Sequence, residues 1–217
     1  MLQQINLAAI FIGFVVLLFS LSVHESAHAW VAWRLGDPTG RLMGRVSLNP
    51  AAHVDVVGTV LFPLLAMATR LPLLGWAKPV PVDVLKLKNY RRDFMLIAAA
   101  GPVSNLLLAI AGAITMRLVG LAPADIGRVN VAGPIAQLSI MMVELNVLLA
   151  VFNMIPVPPL DGGTVLSGLL PEHGARVLDG LRPYGFIVLY ALIFAGVLVR
   201  VVRASDYLAY QLLTWPL

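Results

Sequence analysis

Two histidines and a glutamate early in the chain have the types and spacing of a metal site. They occur in His24-Glu25-Ser26-Ala27-His28. Because an α-helix turns about 100° per residue, His24 and His28 lie on one face, with ring nitrogens able to converge on one cation. Glu25 stands beside them, within reach of a water bound to that cation. Zinc suits this set, since two imidazoles and one carboxylate leave a fourth position for water, whose pKa the metal lowers towards neutrality.

A candidate third ligand, Asp161, lies far downstream. It ends the run Asn153-Met154-Ile155-Pro156-Val157-Pro158-Pro159-Leu160-Asp161 and is followed by Gly162-Gly163. The prolines end a helix there and the glycine pair allows close backbone packing, so Asp161 is held on an irregular segment. Such backbone is tolerated at membrane depth only where protein or a water-filled cavity satisfies it. We therefore expect one zinc ion per chain, held by His24, His28 and Asp161. The alternative is that these groups only join neighbouring helices by hydrogen bonds.

The composition is that of an integral membrane protein. The chain has 217 residues, of which 59% are hydrophobic and 12% charged, which indicates one membrane domain over residues 1–217. The net charge of +4 does not indicate a nucleic-acid partner, because Lys and Arg fall between the apolar runs, where they anchor a chain at the bilayer interface. The chain has no cysteine, which excludes thiolate ligands and disulfides.

Apolar runs predict the helices that must position these side chains. Clear spans are expected at residues 5–33, 94–118, 135–155 and 184–202. The stretch 60–74 is short and broken by prolines, so it is expected to be tilted or re-entrant. A polar loop is expected at 171–183 and an interfacial tail at 206–217. The predicted class is an all-α polytopic membrane protein with five to six transmembrane or re-entrant segments. The first segment is too long for a signal peptide, and cleavage would remove the histidines.

Residues 75–89 have a different character. Pro79 and Pro81 forbid a helix interior, and Val80, Val82 and Val84 alternate as in a strand. We expect a small extended or β-hairpin-like element, with the prolines restricting it to a sheet edge. An edge of this kind can hold an unwound peptide by backbone pairing. The alternative is a linker at the membrane interface.

Two further polar sites leave alternatives open. Asn105 follows Gly101-Pro102-Val103-Ser104 in the second clear span, where an amide either bridges helices or takes part in chemistry. His53 and Asp55 precede the 60–74 stretch, and are either auxiliaries of the metal site or caps of a helix start.

The motifs HExxH, GPxxN and NxxPxPxLDGG, in that order from His24 to Gly163, resemble those of the site-2 protease family of intramembrane zinc metalloproteases, peptidase family M50. The resemblance implies that His24, His28 and Asp161 bind zinc. It also implies that Glu25 is the general base and then the proton donor, and that Asn105 positions or stabilises the reacting group.

Residues 49–59 also resemble a family element, the NPxxHxDxxGT pattern of a short branch, which makes His53 a candidate catalytic residue. The chain departs from this branch at Val56, where a proline is common. Only 55 residues separate Asn105 from Asp161, too few for a PDZ domain besides the spans. A short form without PDZ or nucleotide-binding domains is therefore expected.

The implied reaction is hydrolysis of peptide bonds in transmembrane helices, as in regulated intramembrane proteolysis. Its partners would be a transmembrane protein substrate and the lipid bilayer. The family's arrangement, in the cell membrane of a prokaryote, puts the zinc site nearer the cytosol. It leaves only five of the 15 Lys and Arg residues outside: Arg70, Arg117, Arg128, Arg200 and Arg203. The positive-inside rule favours this orientation.

Two other functions remain open from the residues. A metal-ion carrier would use the same ligands as a transport site, although the inverted repeat typical of carriers is not visible. A catalytically inactive relative would bind transmembrane helices without cutting them. Substrate identity and oligomeric state do not follow from the sequence.

Overall fold

The structure, a computed structural model, describes residues 7–61, 65, 77–120 and 134–215, and these confirm the all-α class. The α-helices are α1 (Leu7–Arg34), α2 (Thr39–Leu42), α3 (Tyr90–Leu118), α4 (Pro134–Asn153), α5 (Asp161–Leu169), α6 (Glu172–Gly180), α7 (Gly185–Phe194) and α8 (Val197–Thr214). Short 3-10 turns occupy Pro50–Ala52, Val84–Lys86 and Arg182–Tyr184, and Val56–Leu61 is a π-helix.

Among the described residues, four helical stretches are long and apolar enough to cross a membrane: Ile10–Arg34, Tyr90–Leu118, Pro134–Asn153 and Glu172–Phe194. The first three confirm the clear spans expected at 5–33, 94–118 and 135–155. At about 1.5 Å per residue, α1 is roughly 42 Å long and exceeds the hydrocarbon core. The expected segment 60–74 lies outside the described residues, apart from residues 60, 61 and 65.

Helix α3 is central to the bundle, since it packs against α1, α4, α5 and, more lightly, α8. Small side chains let it approach its neighbours closely. Its Ala109, Ala113 and Met116 form one buried cluster with Ile140 and Val143 of α4. This packing fixes the register of α3 against α4, and therefore the position of every polar side chain between them.

The fourth span expected at 184–202 is present but wrong in its bounds, because the apolar stretch is Glu172–Phe194 and the chain breaks after it. Helix α7 ends at Phe194, and Gly196 adopts a left-handed conformation with φ +77° before α8 begins at Val197. Glycine adopts this conformation without steric cost, so it ends one helix and starts another in a run that hydrophobicity alone makes continuous.

The last third of the chain corrects one more expectation. The polar loop expected at 171–183 contains α6, which begins after Pro171 with Glu172 in its first turn, a favourable place for an acidic side chain. A short amphipathic helix gains its stability from packing that composition does not reveal. The tail expected to be interfacial belongs, as far as Thr214, to α8, whose Ala209 and Leu213 are buried in the α3–α4 cluster; its interfacial position stays a prediction.

The expected hairpin-like element at 75–89 is also wrong in its described part. Residues 77–83 have no regular secondary structure, and a 3-10 turn follows at Val84–Lys86. Proline lacks the N–H that a strand ladder needs, and Pro79 and Pro81 both fall in this segment. Its two ends are held instead by buried charged side chains: Arg45 donates to the Lys78 carbonyl, and Asp37 accepts from the Asp83 N–H.

Candidate metal centre

His24 and His28 meet on one face of α1, as their spacing predicts. Their Nε2 atoms are 3.1 Å apart and their rings are nearly perpendicular. Both side chains are buried, at 4% and 8% exposure. Two imidazole nitrogens at this distance need either a shared proton or a cation between them.

The other ring nitrogen of each histidine has its own oxygen partner. Nδ1 of His28 lies 2.7 Å from the carbonyl oxygen of Ile97, and Nδ1 of His24 lies 2.6 Å from Oδ1 of Asn105. Since a carbonyl oxygen only accepts, each Nδ1 carries the proton and donates. Each Nε2 is left with a free lone pair, which is the arrangement that a metal-ligating histidine usually has.

Asp161 joins the two histidines from the first turn of α5. The backbone there depends on Gly162 and Gly163, because a Cβ atom on Gly162 would lie 2.4 Å from the Met154 carbonyl carbon, and one on Gly163 would lie 2.6 Å from the Pro158 nitrogen. Only glycine permits α5 to start this close to the preceding loop. This packing brings Oδ2 of Asp161 to 3.2 Å from Nε2 of His24 and 3.5 Å from Nε2 of His28.

These three atoms fit a zinc ion. Ligands at about 2.0–2.1 Å in a tetrahedral shell lie about 3.3 Å from one another, and the three distances here are 3.1, 3.2 and 3.5 Å. Oδ2 of Asp161 is buried without a hydrogen-bond partner, a costly state that a cation would relieve. Within the described part of the chain, His24, His28 and Asp161 form the only group of three or more such side chains with this geometry.

Gly101, in α3, belongs to the site although its residue type has no ligand atom. A Cβ atom at this position would lie 2.4 Å from Nε2 of His28 and 2.6 Å from Nε2 of His24. The backbone of α3 therefore faces the position between the ligands directly. The sequence gives no direct signal of this role, because a glycine carries no ligand atom and shows only that a side chain is absent.

Asn105 lies behind the ligands and does not line the cavity. It is fully buried, its Oδ1 accepts from His24, and its Nδ2 donates to Oδ1 of Asn146 at 2.8 Å. In the structure, Asn105 therefore supports the His24 ring and does not face the cavity. Asn146 completes this support and is absent from the candidates drawn from the sequence.

His53 is not among the groups that the structure brings together. Its Nε2 donates to the carbonyl oxygen of Ser47 at 2.8 Å, and its Nδ1 is buried without a partner. Asp55 is a helix cap, since its Oδ1 accepts from the N–H groups of Val57 and Gly58 at the start of the π-helix. For Asp55, the capping alternative is the one that the structure supports.

A cavity of about 570 Å³ opens beside the ligands. His24, His28, Asp161 and the half-buried Glu25 line it. Glu25 has no hydrogen bond or ion pair to another described residue. Most of the remaining wall is apolar, with contributions from Leu21, Val80, Val82, Phe94, Phe152 and Phe186. The cavity thus combines a largely apolar surface with a few polar groups at one place.

Comparison with known proteins adds independent information. Residues 115–196 match the family model described as "Peptidase family M50". The chain is 35% identical over 178 residues to "Putative zinc metalloprotease YwhC" of Bacillus subtilis, covering 82% of this chain and 78% of that protein. It is 30% identical over 188 residues to "Putative zinc metalloprotease Rip2" of Mycolicibacterium smegmatis, covering 84% of this chain and 66% of that protein. No solved structure gives a significant match.

Proposed function

The chain belongs to the site-2 protease family, peptidase family M50, and is a zinc metalloprotease of the membrane; from this premise we propose that it hydrolyses peptide bonds of transmembrane helices within the bilayer. The proposal rests on one observation. The ligand atoms of His24, His28 and Asp161 lie as far from one another as the ligands of a single zinc ion do, and they border an apolar cavity that Glu25 also lines. One zinc ion per chain would be held there, and it would act as a Lewis acid towards water and the scissile carbonyl.

Glu25 is the proposed general base. It borders the cavity next to His24 on α1, and no other described residue forms a hydrogen bond or an ion pair with its carboxylate. A free carboxylate can take the proton of the attacking water and then return it to the leaving amine. Asn105 supports His24 and is a positioning residue in this scheme. A catalytic role for His53 stays a prediction of the sequence resemblance. Its Nε2 is engaged in a hydrogen bond to the Ser47 carbonyl and is not available to a substrate.

The irregular segment 77–83 is the proposed binding surface for the unwound substrate. Val80 and Val82 line the cavity, and within the described chain their backbone N–H groups make no hydrogen bond. Peptide bonds of a helix are protected by their own hydrogen bonds, so a substrate must be extended before hydrolysis. An extended substrate can pair with these two N–H groups although the segment is not itself a strand.

The metal site is proposed to lie nearer the cytosol. Helix α2, the 3-10 turn at Val84–Lys86 and the start of α3 lie together at the His28 end of α1, since Lys86 contacts both Asp37 and Thr39. The basic residues of this end are Arg34, Arg41, Arg45, Lys78, Lys86, Lys88, Arg91 and Arg92. Basic residues next to spans mark the cytosolic side.

The decisive experiment is the Glu25→Gln substitution in the full chain, purified in detergent and assayed on a model transmembrane peptide by mass spectrometry. The amide keeps the size of the side chain but cannot take a proton, so zinc should stay bound while cleavage falls by at least about 100-fold. Glu172→Gln is the matched control, since that carboxylate is 73% exposed on α6 and should change nothing.

The outcomes separate the alternatives. Full activity of the Glu25→Gln protein would refute the role of Glu25. Bound zinc without cleavage by the wild type, across peptides with helix-weakening residues, would favour a helix-binding relative. Elemental analysis of Asp161→Ala should show zinc lost or greatly weakened, and unchanged zinc would remove Asp161 from the ligand set.

A further inference from the structure

Three buried side chains from three helices form a continuous hydrogen-bonded chain behind His24. Asn105 of α3 donates to Asn146 of α4 at 2.8 Å, and Asn146 donates to Oγ of Ser20 of α1 at 2.8 Å. Asn105 and Asn146 are fully buried, and so is Ser20. This series of hydrogen bonds begins at Nδ1 of His24, which lies 2.6 Å from Oδ1 of Asn105. We call these three residues the amide relay.

The direction of the relay is fixed by a backbone group. Nδ2 of Asn146 also donates to the carbonyl oxygen of Met142 at 2.8 Å. A backbone carbonyl only accepts, so the NH₂ group of Asn146 must face it and its Oδ1 must face Asn105. Asn105 then presents its own NH₂ to Asn146 and its Oδ1 to His24. The only partner that satisfies this oxygen is a protonated Nδ1 of His24.

We propose that Asn146 is a positioning residue of the metal site: acting through Asn105, it holds His24 in the tautomer whose Nε2 is free to bind zinc. His28 needs no such device, because its Nδ1 donates directly to the Ile97 carbonyl. The proposal rests on the zinc site of the proposed function, but it does not depend on cleavage. It is therefore tested by metal binding, and it can fail while the protease assignment stands.

The competing explanation is that the relay only joins α1, α3 and α4, as buried amides often do in membranes. The two explanations predict different effects on zinc binding for substitutions that keep or remove the oxygen of residue 146 that accepts from Asn105. Leucine has a similar shape but no acceptor, so the Nδ2 group of Asn105 is left unpaired. A protonated aspartic acid keeps a carbonyl towards Asn105, and its O–H can donate to Met142, so the direction of the relay is preserved.

The test is zinc affinity of the full chain in detergent, measured by competition with a chromophoric chelator. Asn146→Leu should weaken zinc binding by about 10–100-fold, the usual effect of losing a hydrogen-bond support of a ligand, while Asn146→Asp should stay within a few-fold of the wild type. Cobalt(II) substituted for zinc should give an altered visible spectrum in Asn146→Leu and a native one in Asn146→Asp. A helix-joining role alone predicts no spectral change at the metal.

A double substitution shows whether Asn146 acts through Asn105. If it does, Asn105→Ala should weaken zinc binding, and adding Asn146→Leu should cause little further loss. Fully additive losses would overturn the proposal. So would wild-type affinity and cobalt spectrum in Asn146→Leu.

Two serine substitutions, a test variant and its control, keep the proposal testable if the Asn146→Leu protein does not fold. Their expected effect on zinc affinity is smaller. The NH₂ group of Asn146 is held in place by two oxygen acceptors, Oγ of Ser20 and the Met142 carbonyl. Ser20→Ala removes the first, so the amide is held less firmly and zinc binding should weaken a few-fold. Ser139→Ala, also buried in the bundle, removes a hydroxyl that donates only to Ile135 of its own helix, and should have no effect. Equal zinc affinities in these two variants would contradict the proposal.

Discussion

Two walls of the same cavity are built in opposite ways. The helical wall is formed by α1, α3 and α4, whose backbone groups pair within each helix, so the polar side chains between them can form the amide relay. The irregular wall is residues 77–83, whose backbone is not paired internally. Here charged side chains satisfy the backbone: Arg45 at the Lys78 carbonyl and Asp37 at the Asp83 N–H.

The difference indicates that the two walls have separate roles, one in metal binding and one in substrate binding. The proposed metal ligands need fixed positions, and they lie on helices that are held by buried packing and side-chain hydrogen bonds. The proposed substrate surface needs free backbone groups, which the interior of a helix cannot offer and which irregular backbone offers where it lines a cavity. We therefore expect substitutions in the helical wall to change metal binding, and substitutions that loosen the irregular wall to change substrate binding while zinc is retained.

The largest effect is expected for Gly101→Ala in the helical wall. The added methyl group would overlap Nε2 of both histidines, and packed helices cannot shift enough to make room. Zinc affinity should fall by at least about 100-fold, measured by chelator competition. The control is Gly13→Ala, where a Cβ would meet only Sδ of Met141 at 3.8 Å. Normal zinc binding in the Gly101→Ala protein would contradict the geometry described here.

A moderate effect is expected for Arg45→Met in the irregular wall. Arg45 is 4% exposed and donates to the carbonyl oxygens of Ala52 and Lys78 at 2.7 and 3.3 Å. Hydrogen bonds from a charged donor contribute about 1.5–3 kcal/mol each, so their loss should loosen the segment that carries Val80. We expect KM for a transmembrane peptide to rise roughly tenfold, with zinc content unchanged.

The matched control for Arg45 is Arg176→Met, since Arg176 is 74% exposed and pairs only with Glu172 on its own helix. It should leave KM unchanged. If Arg45→Met instead lost zinc and kept its KM, the two walls would not have the separate roles assigned to them.

The sequence predicts the helical wall better than the irregular wall, for physical reasons. Residue spacing on a helix is regular, so the convergence of His24 and His28 follows from the number of residues between them. The course of residues 77–83 depends on Arg45 and Asp37, which lie far away in the sequence and which the strand-like alternation of its valines does not reveal. Outside both walls, the break at Gly196 and the helix at Glu172–Gly180 depend on local backbone conformation and on packing, which hydrophobicity does not encode. The hydrogen bond between Asn105 and Asn146 depends on the register of two helices, so neither residue alone predicts it.

The smallest effect is expected for Asp37→Asn at the far end of the irregular wall. Burial by itself would raise the pKa of Asp37, but hydrogen bonds from Thr39 and from the Asp83 N–H, with the charge of Lys86, hold that pKa below its ordinary value of 3.8. An asparagine cannot accept at both of its terminal atoms, so one buried donor is left unpaired, at a cost of about 1–3 kcal/mol. The apparent melting temperature should fall and KM for a transmembrane peptide should rise less than in Arg45→Met, with zinc content unchanged.

The pH dependence of the difference in melting temperature between the wild type and Asp37→Asn identifies the cause of that difference. A carboxylate whose folded-state pKa is lowered stabilises the fold above its unfolded-state pKa, and that contribution is lost as the pH falls through the lower folded-state value. The gap in melting temperature between the wild type and Asp37→Asn should therefore be constant from about pH 8 to pH 5 and should narrow below about pH 4. A gap that stayed constant at lower pH would mean that the substitution acts through packing. A gap that narrows would identify the ionised carboxylate of Asp37 as the group that secures this end of the irregular wall.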